Sequence, residues 1–177
     1  MRAGAELGDV TEILARLRQE VGDGEFGFRA QGLLAHVLLR LGARITVINA
    51  QGHPDIEALF GEQHLVIEVE ITRLTGRDHV LKADDLASIC PRARGMTGYL
   101  AILDCVLPVK WLLVNHNRLR YRSLGVISLS TVRAVSDKAL SEECTREFAK
   151  LILECEDRLE NLTFHLLAAR ALSGEPV

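Results

Sequence analysis

The chain has 177 residues, 48% of them hydrophobic and 25% charged, which is enough for one domain with a buried core. Aromatic residues make up only 5%, so the core must be mainly aliphatic, and a formal net charge of −3 argues against a protein that simply coats nucleic acid. The sequence lacks an apolar run of roughly 18 residues or more, which argues against a transmembrane helix. Residues 1–25 carry too many acids for a signal peptide, so we expect a cytoplasmic protein.

The first predicted elements are two amphipathic helices. One covers residues 9–21 and ends at Gly22. The other covers residues 28–41, keeps apolar residues at i, i+3, i+4 and i+7 spacing, and ends at Gly42. Three strands are predicted next, at residues 44–49, 55–60 and 64–72.

The second half of the chain is predicted to alternate helices and strands. In order, these are a helix from Asp78 to about Pro91, a strand at 98–105, a helix from Pro108 to about Tyr121 and a strand at 126–130. Hairpins make neighbouring strands antiparallel, whereas strand–helix–strand crossovers make them parallel. The fold class is therefore α/β, with a mixed β-sheet flanked by helices.

Residues 141–172 contain no Gly and no Pro, which predicts one long C-terminal helix. Its apolar residues are spaced by three or four, close to a heptad seam: Cys144, Phe148, Leu151, Cys155, Leu159, Leu162, Leu166 and Ala169. The seam packs either on the domain itself or on a second copy in a homodimer. We interpret residues 1–177 as one domain, with an N-terminal helix at 1–25, a core at 28–130 and the long helix at 141–173.

A pair of acids in an apolar strand is the strongest functional signal. In the strand 65–71, Glu68 and Glu70 share one face because side chains alternate. Asp55 begins the preceding strand and can reach the same end of the sheet. Burying like charges together is costly without a cation, and Mg²⁺ prefers oxygen ligands, so the three acids predict a hard-metal site. A turn aspartate and a solvent-facing strand are the alternatives.

Charge is unevenly distributed along the chain. Residues 26–135 hold 13 Lys/Arg and 9 Asp/Glu, a net +4, although they include the acid cluster. Residues 1–25 (3 against 6) and 136–177 (5 against 9) are acidic. This pattern is typical of a metal-binding cleft surrounded by phosphate-binding side chains, or of ordinary scatter in surface charge.

These motifs together suggest a family. A helix, then Gly-His-Pro-Asp at 52–55, then an apolar strand with Glu-x-Glu resembles the PD-(D/E)XK nuclease superfamily, which has a restriction-endonuclease-like fold. The resemblance covers roughly residues 28–130, whose predicted order is similar to the family's αβββαβ core. It implies metal-dependent hydrolysis of phosphodiester bonds in DNA. Asp55, Glu68 and the Val69 carbonyl would bind Mg²⁺ or Mn²⁺.

The chain departs from the family pattern at two positions. Glu70 stands where the usual motif has lysine, although some restriction enzymes of the superfamily carry Glu there and are active. Lys82, early in the next predicted helix, is the candidate for the missing cation; alternatively it is a solvated residue or an ion-pair partner of Asp85. Gln31 stands where many relatives carry a glutamate that helps bind metal through water, or it is simply a polar residue at a helix edge.

The remaining predictions concern partners. Arg73 and Arg77 flank the site in sequence and could bind phosphates, although surface arginines often have no such role. Glu70, Gln31 and the long helix favour a competing hypothesis, a catalytically inactive module that binds DNA or a partner protein. We see no dedicated recognition domain, so specificity would come from loops, dimer geometry or a larger protein partner. The four cysteines show no CxxC pairing, which favours reduced core thiols over a zinc site.

Overall fold

The computed structural model describes residues 2–72, 78–80, 95–106, 108–119 and 126–177. The described strands are β1 (Arg44–Ile48), β2 (Ile56–Phe60), β3 (Gln63–Ile71), β4 (Asp78–Val80), β5 (Met96–Asp104), β6 (Lys110–Asn115) and β7 (Val126–Ser128). The described helices are α1 (Arg2–Arg40), α2 (Leu129–Val135), α3 (Lys138–Glu154), α4 (Glu156–Leu159) and α5 (Phe164–Ser173), with a 3₁₀ turn at His116–Arg118. None of these helices is long and apolar enough to cross a membrane.

Helix α1 consists of two helical stretches that meet at Gly22. This glycine has φ 81° and ψ 164°, a conformation that residues with a side chain rarely adopt. Leu17 in the first stretch and Leu34 in the second are both almost completely buried. The two helices predicted at 9–21 and 28–41 are therefore confirmed as the two stretches of α1, and both pack on the same core.

The described strands form a five-stranded mixed sheet in the order β1-β2-β3-β5-β6 and a separate two-stranded sheet of β4 and β7. Strands β1, β2 and β3 make antiparallel pairs, and β3 pairs with β5 in parallel. Strand β6 is antiparallel to β5. This arrangement confirms the predicted α/β class with a mixed sheet and flanking helices.

The two faces of the large sheet differ in what they carry. On the face that packs on α1, which we name the α1 face, buried residues such as Ile67, Val69 and Trp111 join the main hydrophobic core. The opposite face holds a smaller core of Leu100, Ile102, Leu112, Val114, Leu119, Leu129 and Val132. It also carries Glu68 and Glu70, and we name it the carboxylate face.

The start of one predicted helix and a second predicted helix are corrected; residues 81–91 of the first lie outside the described residues. Asp78 does not begin a helix but pairs with Ser128 in the ladder between β4 and β7. Residues 110–115 form strand β6 rather than part of a helix from Pro108 to Tyr121. A continuous apolar run shows no period that separates a strand from a helix. Here Trp111 and Leu113 face one core while Leu112 faces the other.

The predicted C-terminal long helix at 141–173 is also wrong. Helix α3 ends at Glu154, because the next residue, Cys155, leaves the helical region with φ −110° and ψ 6°. Helix α5 begins at Phe164, and the hydroxyl of the preceding Thr163 caps it by accepting a hydrogen bond from Leu166 N. Both α3 and α5 pack on α1. Most of the predicted seam is therefore buried inside this chain, so it is not available as a homodimer contact.

The predicted strand at 126–130 is shorter than expected because Ser128 ends it. The Ser128 hydroxyl accepts a hydrogen bond from Thr131 N at 3.2 Å and caps α2. Helix α2 then packs Leu129 and Val132 onto the carboxylate face.

Candidate active site

Asp55 lies directly before β2 and is fixed to the neighbouring strand. Its Oδ2 accepts a hydrogen bond from Val69 N at 2.9 Å. The last ladder pair between these strands is Ile56 with Ile67, so Asp55 continues the register opposite Glu68. In an extended strand the N–H and C=O of one residue point toward the same neighbour, so the Val69 carbonyl is also directed toward the Asp55 side of β3.

Glu68 and Glu70 lie on the carboxylate face, as the alternation predicts. The parallel ladder places Glu68 beside Leu100 and Glu70 beside Ile102. Both glutamates are half-buried. The Val69 N–H that holds Asp55 lies between them in sequence, so one backbone group aligns the third acid with the other two.

The donor set at this point consists of carboxylate and carbonyl oxygens, which suits Mg²⁺ or Mn²⁺ rather than zinc. In the described part of the chain, however, no three His, Cys, Asp or Glu side chains are placed to hold a metal ion.

The loop before Asp55 is held in a defined conformation. Asn49 has φ 44°, the left-handed region that asparagine tolerates better than most residues, and its N–H donates to Asp55 O at 2.7 Å. His53 N donates to Ala50 O at 3.0 Å, and Gly52 between them has φ 79°. The Gly-His-Pro-Asp motif thus forms a tight loop that positions Asp55 at the start of β2.

A histidine–glutamate–histidine group lies next to this loop and was not predicted. Glu57 accepts from His53 Nδ1 at 2.8 Å through one oxygen and pairs with His64 Nε2 at 3.1 Å through the other. Glu57 alternates with Ile56 and Ala58, which belong to the main core, so it shares the carboxylate face with Asp55. The two-residue spacing of Asp55 and Glu57 was the signal in the sequence.

A second unpredicted group is the ion pair between Asp104 and Arg133. Asp104 is fully buried at the end of β5, and its Oδ2 accepts from Arg133 Nε at 3.0 Å and from an Arg133 terminal nitrogen at 2.7 Å. Alternation from Leu100 and Ile102 places Asp104 on the carboxylate face. Arg133, on α2, is therefore a cation that the fold brings to the same end of the sheet as Glu70.

Gln31 lies on α1 and is 8% exposed. Its Oε1 is buried without a hydrogen-bond partner among the described residues. A Cβ built on Gly27, one turn earlier, would lie 3.7 Å from Ile71 Cδ1, so this side of the helix faces β3. Gln31 therefore lies between α1 and the strand that carries the two glutamates.

Lys82, Arg73 and Arg77 lie outside the described residues, so their predicted roles stay predictions.

The described cysteines are free thiols that are buried to different degrees. Burial raises the pKa of Cys105 to about 11 and that of Cys144 to about 12. Thiols with such values are poor nucleophiles and poor metal ligands at neutral pH, which is consistent with the absence of CxxC pairs.

The comparison with solved structures identifies a relative in fold. The chain is similar to the Holliday junction resolvase Hjc of Archaeoglobus fulgidus, an archaeal hyperthermophile, with a TM-score of 0.52 and 20% sequence identity. The match covers 68% of this chain and 97% of that one. No protein-family model and no curated protein sequence matches the chain. The likeness is consistent with a restriction-endonuclease-like core.

Proposed function

We propose that this protein is a metal-dependent nuclease that hydrolyses phosphodiester bonds in DNA. The observation that carries the proposal is the hydrogen bond from Val69 N to Asp55 Oδ2, which aligns Asp55 with Glu68 and Glu70 on one face of the sheet. A similar fold in a Holliday junction resolvase supports it. That likeness also makes a four-way DNA junction the first substrate to test.

In this proposal, Asp55, Glu68 and the Val69 carbonyl would hold Mg²⁺ or Mn²⁺. A divalent cation supplies Lewis-acid charge and lowers the pKa of a bound water. Glu70 accepts a hydrogen bond from the attacking water and orients it toward phosphorus, while Lys82 compensates the charge that develops on the phosphate. Arg73 and Arg77 bind the flanking phosphates.

The test compares wild type with Glu68→Gln, which keeps the size of the side chain and removes its charge. Plasmid, linear duplex and four-way-junction DNA are incubated with Mg²⁺ or Mn²⁺, and Mn²⁺ binding is measured separately by calorimetry. We expect Glu68→Gln to lower the cleavage rate by roughly 100-fold or more and to weaken Mn²⁺ binding. Glu62→Gln, in the exposed turn between β2 and β3, is the matched control and should leave both unchanged.

A catalytically inactive module that binds DNA is the second candidate. It is favoured by one observation, that among the described residues no three His, Cys, Asp or Glu side chains are grouped to hold a metal ion. This module would bind the four-way junction without cutting it, and calorimetry would show no Mn²⁺ signal for folded wild type. Cleavage that disappears in Glu68→Gln but persists in Glu62→Gln would exclude it.

A further inference from the structure

A groove of about 950 Å³ runs between strand β6 and helix α3, at the edge of the sheet farthest from β1. Its floor is largely apolar, and Leu7, Pro108 and Leu153 are the described apolar lining residues that keep exposed surface. Leu153 is 36% exposed, although it is a large aliphatic side chain on a helix that otherwise buries its apolar residues well. An apolar floor of this size at the surface is typical of a binding site.

The rim of the groove is positively charged. Five cations line it, against the two acids Glu142 and Glu154; the cations are Lys110, Arg133, Lys138, Arg146 and Lys150. Glu154 is already neutralised by Arg40 at 2.6 Å. Arg133 pairs with Asp104 and Lys150 with Glu147.

Three of these cations remain for an occupant, against one remaining acid, Glu142. Within the part of the chain that the structure describes, Lys110, Lys138 and Arg146 make no ion pair. Lys138 and Arg146 are exposed on the same helix, two turns apart or about 12 Å along its axis. The rim therefore offers separated positive charges along the groove.

The edge of β6 excludes one mode of binding. Thr145 Oγ1 accepts a hydrogen bond from Trp111 N at 3.0 Å, and Ser141 Oγ accepts one from Leu113 N at 3.0 Å. Leu113 O accepts from Asp137 N at 2.8 Å. These hydroxyl groups seal the edge strand, so an occupant cannot join the sheet as a further strand and must be held by its side chains.

We propose that this groove binds an acidic peptide segment of a partner protein. Apolar side chains of the segment pack on Leu7, Pro108 and Leu153, and its carboxylates pair with Lys138 and Arg146. Trp111 is the one aromatic residue among the described lining, and it is fully buried, so no ring is offered for stacking on a nucleic-acid base. The apolar floor adds nothing to phosphate binding, which favours a peptide over nucleic acid. This inference does not depend on nuclease activity.

The experiment selects binders from a displayed library of random peptides of about twelve residues, which span about 18 Å as a helix. Wild type serves as bait, and the selected peptides are afterwards tested on Arg146→Glu. We expect the enriched peptides to combine Asp or Glu with Leu, Ile or Phe. The dissociation constant of a labelled enriched peptide is then measured by fluorescence anisotropy.

Binding should weaken by roughly tenfold or more in Arg146→Glu and in Leu153→Asp, two exposed positions where we expect folding to be unaffected. Arg158→Glu makes the same charge change at an exposed position outside the groove and should bind like wild type. Enriched peptides that lack acids, or that bind Arg146→Glu as tightly as wild type, would overturn the proposal. So would a single-stranded oligonucleotide that displaces the peptide, loses its own binding in Arg146→Glu and keeps it in Leu153→Asp.

Discussion

The two faces of the sheet differ in how many acidic side chains they carry. The α1 face is covered by two stretches of helix and by α3 and α5, and nearly all its side chains are aliphatic and buried. Among the described residues of the carboxylate face, a small apolar cluster under α2 adjoins five acids: Asp55, Glu57, Glu68, Glu70 and Asp104. One face therefore supplies most of the burial that folding needs, which leaves the other able to carry groups that are costly to bury.

The largest expected effect tests the α1 face. Leu34→Ala removes a fully buried side chain and should lower the free energy of unfolding by about 4 kcal/mol, because the cavity adds to the lost transfer energy. Leu166→Ala, at a leucine that is 40% exposed on α5, should cost less than about 1 kcal/mol. Urea unfolding measures both. Equal costs at the two sites would show that this face does not dominate stability.

The next prediction concerns the buried ion pair on the carboxylate face. Arg133→Met leaves the fully buried Asp104 without its cation and should cost about 2 kcal/mol, less than a fully buried pair because Arg133 is 40% exposed. Asp104→Asn in the same chain should recover part of that loss. Chemical unfolding of the two single variants and the double variant gives the coupling energy. A coupling near zero would mean that the pair adds nothing to this face.

The helices and strands of residues 9–72 were predictable because their patterns are local. Alternating or 3.6-residue periods, Gly22, Gly42 and the Gly61 turn each mark an element or its end. The position of Asp55 followed from the same register. Prediction failed where distant residues decide the outcome, as in the pairing of β4 with β7 and in the apolar run of β6, which is buried on both sides.

The missed parts of the site have the same cause. Asp104 and Arg133 are 29 residues apart in sequence. The hydroxyl groups that bind the edge of β6 belong to Ser141 and Thr145 of α3, a helix for which the sequence pattern predicts only the apolar contacts. The seam itself was read correctly as apolar, but spacing alone cannot tell whether its partner is the same chain or a second copy. Packing on α1 decides that point.

A pH-dependent prediction concerns a buried polar residue of the α1 side. His36 is 3% exposed and its Nε2 lies 3.2 Å from Leu167 O, so the neutral ring donates this hydrogen bond. Burial lowers the pKa of His36 below its usual value, and the nearby charges of Arg40 and Arg170 lower it further. Below about pH 6.5 the His36 ring binds a proton in the unfolded chain but not in the folded chain. The free energy of unfolding should therefore fall as pH decreases below that value.

His36→Gln tests this, since its amide can donate to the same carbonyl without titrating. Urea unfolding between about pH 5 and 8 should show a weaker loss of stability at the acid end for the variant than for wild type. Parallel pH profiles would exclude His36 as the cause.

The smallest expected effect is at Gln31, which lies on α1 and faces β3. Its buried Oε1 has no partner among the described residues, which destabilises the fold, so Gln31→Met should leave the free energy of unfolding unchanged or raise it by up to about 1 kcal/mol. If the amide holds a water for a metal ion, the same variant should bind Mn²⁺ severalfold more weakly, roughly as other outer-shell changes do. Unfolding and calorimetry together separate these roles, and Gln19→Met, on the first stretch of α1, is the control. A gain in stability with unchanged Mn²⁺ affinity would mean that Gln31 has no role in metal binding. A gain in stability with weaker Mn²⁺ binding would mean that Gln31 lowers the stability of the fold and supports metal binding.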